Sequence, residues 1–379
     1  MPSIAVVILN WNGIGFMKKF IPGVVSSCKR LGEARPGWTA RTIIADNGST
    51  DGSVEWMKTL GEDVGTLFFD KNHGFTGGYN KAFRELGGTG FRANDTGDNA
   101  PCGEYDYFLL LNSDIEVTGD WLIPLAEWME THPSCGIASP KLRSHGERSE
   151  FEYAGAAGGF IDRWGFPFCR GRVMSDIETD NGQYDRPCMT FWATGAAMMA
   201  RREVYRQCGG LDEAFFAHME EIDLCWRAQL LGWQVWNVPQ STVFHVGGGA
   251  LPNESPRKLY LNFRNNLFML HKNLPARKRG LFIFFRMLLD GAAGAVYLLK
   301  GKGKYCKSVI DAHRDFRRMK NGLAISPRRP AEELAKAGIT DRNGRLRTVW
   351  HGSILLPFGN RKRFFRGLET AACCPSEGK

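Results

Sequence analysis

The stretch YFLLLNSDIEV, from Tyr107 to Val117, combines an apolar run with a polar end. The leucine-rich part is typical of a strand that is buried on both faces, as strands of parallel sheets are. The run ends in Asn112-Ser113-Asp114. An ionised carboxylate is costly to bury unless a cation or hydrogen-bond donors meet it. Asp114 therefore either closes an ordinary Asx turn or holds something positive at the end of this strand.

Similar apolar segments occur at 4–10, 41–46, 65–70 and 136–139, and helical stretches lie between them at about 15–31, 52–60, 76–86 and 120–131. Strands that alternate with helices in this way predict an α/β fold, with a Rossmann-like, mostly parallel sheet flanked by helices. Polar, glycine-containing turns follow the strands. Because open α/β sheets bind ligands at the carboxyl ends of their strands, we expect the functional site there. The irregular segment 87–104 is predicted to be a surface loop.

The composition indicates a folded protein with room for one large core or two domains. The chain has 379 residues, of which 43% are hydrophobic and 23% are charged. It begins MPSIAVVILNWNG, without a basic start or a small-residue cleavage site, so we expect no signal peptide. Ten cysteines occur and none forms a C-x-x-C pair. We therefore expect a cytoplasmic protein whose thiols are mostly reduced.

The charge is distributed unevenly along the chain. Residues 257–379 contain 27 Lys and Arg against 8 Asp and Glu, a net charge of +19, whereas residues 1–256 carry a net charge of −10. This difference predicts an acidic body at 1–256 and a basic helical region at 257–379 that associates with an anionic membrane surface. A solvated basic face is the alternative. No helix-turn-helix, zinc-finger or RNA-binding motif occurs, so we expect no nucleic-acid partner.

Within this basic region, the segment 281–301 is apolar and approaches membrane-spanning length, but it contains Arg286 and Asp290. Charges in the middle of the segment argue against a lone bilayer span and favour an amphipathic or interfacial pair of helices. Further along, NRKRFFRG at 360–367 mixes arginine with phenylalanine, as a membrane-surface tail would. We expect the protein to be peripheral on the inner face of the membrane.

Two turns in the first half of the chain have the composition of a nucleotide pocket. ADNGSTDGS (45–53) places Asp46 at a strand end, where its carboxylate could accept the N3–H of uracil or thymine while Gly48 lets the base approach. The same residues also suit a capped strand-to-helix turn. NHGFTGGYNKAF (72–83) could bring backbone N–H groups and a helix N-terminus near an anion, although it is not a G-x-G-x-x-G fingerprint.

Three further groups could perform chemistry. Asn112 and Asp114 lie on one face of an extended chain, where Mg²⁺ or Mn²⁺ could bridge a diphosphate. FFAHMEEIDLCWR (215–227) crowds the acidic residues Glu220, Glu221 and Asp223 at a helix start. Acidic residues are favoured there by the helix dipole, but their mutual repulsion could also raise one pKa to the range of a general base. A histidine, His245, ends a strand before a glycine loop and is either structural or a metal ligand.

The order of these motifs over residues 4–249 resembles family 2 glycosyltransferases of the GT-A fold, and most of all the branch that adds rhamnose or similar sugars to bacterial surface polysaccharides. The resemblance implies that residues 1–256 form a GT-A catalytic domain. Residue by residue, it also implies the following roles. Asp114 and His245 are the metal ligands. Glu221 is the catalytic base, with Glu220 and Asp223 as alternatives. Gly195 and Ala196 line the sugar or acceptor pocket. The nucleotide-binding positions are Asn10, Asp46, Gly48, Asn72, Gly74, Asn80, Asn112 and Ser113.

The resemblance further implies an inverting, Mg²⁺- or Mn²⁺-dependent transfer of a sugar from dTDP-rhamnose or a UDP-sugar. The acceptor would be a lipid-linked or oligosaccharide chain of a growing cell-surface glycan. The metal motif supplies one carboxylate, because Asn112 stands where the family has its first aspartate. Two alternative functions would call for different sequence features. A nucleotidyltransferase would need a glycine-rich loop with Arg or Lys after the first strand, where this chain has NWNGIGF. A non-catalytic membrane-surface protein would not need the acidic cluster.

Overall fold

The computed structural model describes residues 1–87, 105–247 and 255–355. The predicted surface loop at 87–104 and the arginine-phenylalanine segment at 360–367 lie outside the described residues, apart from Gly87. The elements of the first part are β1 (Ser3–Asn10), α1 (Ile14–Ala34), β2 (Thr39–Asp46), α2 (Ser53–Met57), β3 (Val64–Phe68), α3 (Gly74–Gly87), β4 (Tyr107–Asn112), β5 (Ile115–Val117), α4 (Leu122–Thr131) and β6 (Cys135–Ser144).

The second part of the chain contains more and shorter strands, followed by helices. Its elements are β7 (Gly159–Asp162), β8 (Pro167–Cys169), β9 (Arg172–Val173), β10 (Asp176–Ile177), β11 (Cys188–Met189), β12 (Ala197–Arg201), α5 (Arg202–Gln207), α6 (Glu220–Leu230), β13 (Gln234–His245), α7 (Pro256–Asn273), α8 (Ala276–Leu299), α9 (Gly303–Met319), α10 (Ala331–Lys336) and β14 (Val349–Trp350).

The main sheet confirms the predicted α/β architecture. Its strand order is β11-β13-β6-β12-β4-β1-β2-β3, and β5 pairs with β13. Strands β1, β2, β3, β4, β6 and β13 run in one direction, while β5, β11 and β12 run against them. Helices cover both faces. Along β1, Ala5 and Val7 join one core layer, whereas Val6 and Ile8 join the other, as the two-residue period of a strand requires.

A second sheet of five strands, in the order β10-β9-β8-β7-β14, was not predicted. Four of its strands come from the segment 143–190, where the sequence has no clear period. They are two to four residues long, so their alternation of polar and apolar residues is too short to detect. The fifth strand, β14, comes from the C-terminal part of the chain and pairs with β7.

The helices after residue 256 contact the α/β body. Helix α7 begins at Pro256, where the hydroxyl of Ser255 accepts a hydrogen bond from the backbone N–H of Lys258. Its residues Leu267 to Leu270 are buried in the core cluster that also contains β4 and α6 residues. The boundary at residue 256 stays a prediction, but α7 packs as part of the α/β body.

Helix α8 occupies most of the apolar segment 281–301 as one continuous helix, and not as the helix pair that we expected. By length and composition, it is the one helix of the described residues that could cross a membrane, and 22% of its most apolar window is buried. Of the described cysteines, six are free thiols: Cys28, Cys135, Cys169, Cys208, Cys225 and Cys306. Cys188 is disulfide-bonded and departs from the expected reduced state.

Candidate active site

The predicted site residues lie at one edge of the main sheet. Strands β1, β2, β4 and β13 run in the same direction, so Asn10, Asp46, Asn112 and His245 all mark their carboxyl ends. Strand β12 runs the opposite way, and its register with β4 pairs Ala197 with Leu111. Strand β12 therefore starts at the same edge, and the segment before it, which contains Gly195 and Ala196, lies there too. A single rule of sheet topology brings together residues that are far apart in the sequence.

Asp114 and His245 are in direct contact. The Nε2 atom of His245 lies 3.1 Å from Oδ1 of Asp114, and both side chains are buried. On the other side of the ring, Nδ1 of His245 lies 3.2 Å from Oε1 of Glu152, without the geometry of a hydrogen bond. Glu152 was not predicted, because it comes from the aperiodic segment 143–190. The imidazole thus lies between two carboxylates.

This arrangement keeps the ring protonated and Asp114 ionised. Burial opposes the charged imidazolium, but the contacts with Asp114 and Glu152 outweigh it and raise the pKa of His245 to about 10. Burial likewise opposes the charged form of Asp114, but the hydrogen bond from His245 and the positive charge of its ring hold the pKa of that carboxyl below its usual value. The pair therefore carries one positive and one negative charge.

The donor set at this pair suits a hard divalent cation whose remaining ligands come from elsewhere. Asp114 offers carboxylate oxygens, and His245 offers Nε2 once that atom has lost its proton. Across residues 1–87, 105–247 and 255–355, no group of three or more His, Cys, Asp or Glu side chains is arranged for a metal ion. Mg²⁺ and Mn²⁺ can bind with only two protein ligands, because they often keep waters and substrate phosphate oxygens as further ligands.

The predicted nucleotide-binding part of the site contains a hydrogen-bond acceptor without a partner. Asp46 is buried and accepts hydrogen bonds from the side-chain amide of Asn10 at 2.9 Å and from the backbone N–H of Ser49 at 2.9 Å. The Oδ1 atom of Asn10 is buried and has no hydrogen-bond partner in this structure. A Cβ added to Gly13 would lie 2.7 Å from that oxygen and 3.3 Å from the hydroxyl of Ser113. Gly13 thus leaves open a small space between two of the predicted residues.

The glycines of the first two turns have structural roles. Gly48 has a φ of +74°, and a Cβ there would lie 2.7 Å from the Cα of Lys71. The space beside Gly48 is thus filled by the 71–72 backbone, not left open for a base as we expected. Gly74 has a φ of +73°, and a Cβ there would lie 2.7 Å from the ring of Phe216. Both positions favour glycine because φ is positive and because a Cβ would meet neighbouring backbone at Gly48 and an aromatic ring at Gly74.

The start of α3 is not open to an anion. The N–H of Gly74 donates to Oδ1 of Asn72 at 2.7 Å, and the N–H groups of Phe75 and Thr76 donate to the carbonyl oxygen of Phe216. Asn80 also bonds within the protein. Its side chain donates to the carbonyl of Leu211 and accepts from the hydroxyl of Tyr205 and the N–H of Leu211. Asn80 is therefore paired inside the protein, whereas Asn72 is exposed and uses its Oδ1 atom to hold its own turn.

Glu221 lies beside the predicted sugar pocket. A Cβ added to Gly195 would lie 3.5 Å from the Cβ of Glu221 and 3.3 Å from the ring of Phe75. Glu221 is half-buried, and its Oε2 atom has no hydrogen-bond partner in this structure. Burial raises its pKa to about 7, against the lowering effect of backbone N–H groups in the first turn of α6. A carboxylate with this pKa can accept a proton near neutral pH.

The other two acidic residues of α6 differ from Glu221. Glu220 is buried, and burial, followed by the charge of Glu221, raises its pKa well above the usual value. Asp223 is fully buried, yet its pKa is lowered, because the positive charges of Lys272 and Arg227 outweigh burial. Asp223 also accepts a hydrogen bond from Asn273 at 2.8 Å. The sequence left all three residues open as the base, whereas their surroundings now separate them.

The two halves of the site are connected through the segment before β12. The backbone N–H of Asn112 donates to the carbonyl oxygen of Ala196 at 2.9 Å, next to Gly195. Gly195 in turn lies against Glu221, so this segment lies between the strand that leads to Asp114 and the start of α6.

The loop before α6 has an unusual backbone that α7 holds in place. Phe216, His218 and Met219 have positive φ values of 66°, 69° and 72°, which non-glycine residues rarely adopt. From α7, the side-chain amide of Asn265 donates to the carbonyl oxygens of Phe215, Ala217 and His218. Strained backbone of this kind persists only where its surroundings determine it. Asn265 was not predicted to be functional, since nothing in the sequence pattern around it marks the residue.

Comparison with known proteins relates the chain to sugar transferases. The family model described as "Glycosyl transferase family 2" matches residues 5–209. An N-acetylglucosaminyl-diphospho-decaprenol L-rhamnosyltransferase of Mycobacterium tuberculosis is 26% identical over 208 residues, which cover 54% of this chain and 65% of the relative. The low-salt glycan biosynthesis hexosyltransferase Agl10 of Haloferax volcanii is 25% identical over 243 residues, which cover 61% of this chain and 67% of the relative.

Among solved structures, S. aureus TarS 1-349 in complex with UDP superposes with a TM-score of 0.51 at 13% identity, over 91% of this chain and 89% of that chain. GalNAc-T7 with UDP, GalNAc and Mn²⁺ superposes with a TM-score of 0.50 at 15% identity, over 72% of this chain and 48% of that chain. At these identities the likeness concerns the fold, and it agrees with the predicted Rossmann-like sheet and its flanking helices.

Proposed function

Because the chain belongs to glycosyl transferase family 2, we propose that it transfers a sugar from a nucleoside-diphosphate sugar to a growing, lipid-linked cell-surface glycan. Family membership, and within the family a resemblance to bacterial rhamnosyltransferases, were predicted from the order of the motifs and are confirmed. The proposed donor is dTDP-rhamnose or a UDP-sugar, and the proposed transfer is a single displacement that inverts the anomeric carbon.

In this proposal the nucleoside binds at the ends of β1, β2 and β4. The free Oδ1 atom of Asn10 and the carboxylate of Asp46 are both buried acceptors, and the hydroxyl of Ser113 lies nearby. A uracil or thymine ring presents one N–H to such acceptors. Because a buried acceptor without a donor is costly, binding of the base would gain from satisfying Asn10.

Asp114 and His245 would hold the divalent cation, Mg²⁺ or Mn²⁺. A bound cation would neutralise the negative charge of the nucleoside-diphosphate leaving group. In the absence of a cation, the protonated ring of His245 pairs with the ionised Asp114, so the two charges balance and a bound cation would supply the positive charge. The protein's own contribution is to place a carboxylate and an imidazole at adjacent strand ends.

Glu221 would act as the general base. Its carboxylate takes the proton of an acceptor hydroxyl, and the resulting oxygen attacks the anomeric carbon of the donor. The bond from that carbon to the diphosphate then breaks, and the diphosphate leaves with the electron pair. The observation that carries this assignment is the position of Glu221, which lies against Gly195 with an unpartnered oxygen and a pKa near 7.

The acceptor would be attached to a lipid at the cytoplasmic face of the membrane, and the enzyme would be peripheral there. Two observations support this. The relative from Mycobacterium tuberculosis is named for a substrate linked to diphospho-decaprenol. In addition, residues 257–379 of this chain carry a net charge of +19, which favours contact with anionic lipid.

A transfer assay tests the proposed function. The full chain is incubated with dTDP-rhamnose or a UDP-sugar, a polyprenyl-diphosphate-linked acceptor and Mn²⁺, and the released nucleoside diphosphate and the extended acceptor are both measured. We expect both products in equal amounts with one of the donors. Donor binding is measured separately as a rise in melting temperature. If a panel of nucleotide sugars produced neither stabilisation nor transfer, the proposal would be wrong.

A further inference from the structure

One face of α8 is fixed to the rest of the protein. The buried residues of this helix are Ile283, Arg286, Asp290 and Gly294. Arg286 donates to Asp290 at 3.0 Å and to the side chain of Asn266 at 2.6 Å, and its guanidinium stacks 3.6 Å from the ring centroid of Phe166. The two charges that interrupt the apolar segment are therefore paired with each other inside the protein.

The opposite face of α8 is apolar and exposed. An α-helix turns by about 100° per residue, so the exposed apolar residues of α8 all point within about 60° of one direction around its axis. That direction is opposite to the side of the buried residues. The exposed residues form a stripe that runs about 27 Å along the helix. We call this the α8 stripe, and its side chains are 45 to 87% exposed: Leu281, Phe284, Phe285, Leu288, Val296 and Leu299. Soluble monomers rarely leave so continuous an apolar surface uncovered.

Basic residues lie at both ends of the α8 stripe. Arg277 and Lys278 are exposed at its start, and Lys300, Lys302 and Lys304 are exposed after its end. Between residues 276 and 310 the sequence has eight Lys and Arg and one acidic residue, the buried Asp290. An apolar centre with basic ends is complementary to a bilayer surface, where acyl chains lie beneath anionic headgroups.

We propose that the α8 stripe is the surface by which this protein docks on an anionic membrane, with α8 lying in the plane of the interface. This deepens the proposed function and rests on it, because it names the surface that would bring the enzyme to a lipid-linked acceptor. The apolar side chains enter the region between headgroups and acyl chains. The flanking lysines and arginines contact the anionic headgroups.

The buried face of α8 argues for an in-plane position over a membrane span. By length and composition α8 could cross a bilayer. To do so, it would have to leave its partners on the protein and carry Arg286 and Asp290 into lipid without Asn266 and Phe166. Charged groups inside a bilayer are costly. Lying flat, the helix keeps these contacts and exposes only its apolar face to lipid.

The docking surface is structurally close to the catalytic loop. Asn266 of α7 contacts Arg286 of α8, while its neighbour Asn265 holds the loop that precedes Glu220 and Glu221. Two consecutive residues of one helix thus connect the membrane-facing helix to the loop before the proposed base.

Vesicle flotation with the full chain, without nucleotide sugar, tests the proposal. Vesicles of phosphatidylcholine mixed with phosphatidylglycerol are compared with vesicles of phosphatidylcholine alone, and we expect binding to be stronger with the anionic lipid. The variant F284S/L288S should bind at least about tenfold more weakly, because it lacks two apolar side chains that would be buried in the membrane interface. The matched control M174S/I177S removes two exposed apolar residues, one from the turn after β9 and one from β10, and should bind like the wild type.

A second pair of variants tests the charges. R277Q/K278Q should weaken binding to the anionic vesicles by about fivefold per residue at low salt and less at high salt. The control R342Q/R345Q neutralises two exposed arginines elsewhere and should have little effect. Equal binding of all four variants, or no binding by the wild type, would overturn the proposal. Binding to a single-stranded RNA but not to vesicles would identify a nucleic-acid surface instead.

Alkaline carbonate extraction of membranes from expressing cells tests the in-plane position. Release of the protein is expected, whereas retention in the membrane would indicate a spanning helix and contradict the proposed orientation. These readouts are independent of catalysis. Vesicle binding without sugar transfer would support the docking surface and reject the proposed function, and transfer without vesicle binding would do the reverse.

Discussion

The carboxylate of Asp223 lies 2.8 Å from the ammonium group of Lys272, although the two residues are 49 positions apart. The same oxygen of Asp223 accepts a hydrogen bond from Arg227 at 2.8 Å, and Lys272 also contacts Asp212. All of these groups are at least half-buried. The pair therefore joins α6, α7 and the loop before α6, and it explains why one of three neighbouring acids is structural.

We predict that Asp223→Asn destabilises the protein without being a specific catalytic change. Removal of one partner from a buried ion pair leaves uncompensated charge, which costs about 3–5 kcal/mol of the free energy of unfolding. Because the pKa of Asp223 is lowered in the folded state, this stabilisation is present above the usual aspartate pKa and is lost as the pH falls. Urea denaturation at pH 7 and at acid pH measures both effects. A variant as stable as wild type would contradict this role.

Glu221→Gln should abolish transfer and leave the fold intact, which is the reverse of the effect expected for Asp223→Asn. Since the pKa of Glu221 is raised to about 7, wild-type activity should rise as the pH increases through about 7 and level off above it. Glu220 and Glu221 interact, so the measured value belongs to the pair. Initial rates from pH 5 to 9 measure the profile.

The same pKa shift predicts how the stability of this variant changes with pH. A raised pKa means that the folded protein holds the proton more tightly than the unfolded chain. The stabilisation is therefore present below the usual glutamate pKa and is lost as the pH rises through about 7. Glutamine does not titrate, so the melting temperature of Glu221→Gln should rise relative to wild type between pH 5 and pH 8. A constant difference would contradict the raised pKa.

Two neighbouring asparagines of α7 provide a matched comparison. Asn265→Ala removes three hydrogen bonds to the loop with positive φ values, whereas Asn266→Ala removes contacts with Gly165 and Arg286. Each should cost about 1–3 kcal/mol of stability, because buried polar groups lose their partners. We expect kcat to fall at least about tenfold for Asn265→Ala alone, since that loop positions Glu221. Equal kcat values for the two variants would show that the loop needs no support from Asn265.

Removal of divalent metal should abolish transfer, and Mn²⁺ should restore it to the wild type but not to Asp114→Asn. A readout without catalysis is the melting temperature in the presence of UDP or dTDP, with and without Mn²⁺. The wild type should gain stability from the nucleotide and gain more with the metal, by mass action. Asp114→Asn should lose the metal-dependent part. Asp120→Asn, which breaks an exposed pair with Arg30, serves as the control.

Gly195→Ala should fold and lose activity. The new Cβ would lie 3.3 Å from Phe75, which must shift slightly, and 3.5 Å from the Cβ of Glu221. A shift of the base by a fraction of an ångström can reduce kcat by about 10- to 100-fold. Steady-state kinetics should show the loss mainly in kcat, with the melting temperature close to that of the wild type. Unchanged kcat would place the sugar pocket elsewhere.

The sequence by itself was sufficient for the framework of the protein. Long apolar runs such as 107–112 predict the central strands, and the direction of those strands places Asn10, Asp46, Asn112 and Asp114 at one edge. These inferences succeed because they rest on local periodicity and on one topological rule. The family also followed from the sequence, because the order of its motifs is preserved along the chain.

Only the tertiary structure separated the roles of similar residues. Glu220, Glu221 and Asp223 lie within four positions and look alike in the sequence, but their ionisation depends on distant groups such as Lys272. Gly48 suggested open space for a nucleotide base, whereas the backbone of Lys71 and Asn72 fills that space. Charge and packing act between atoms that are close in space, and the sequence pattern around a residue does not contain its long-range neighbours.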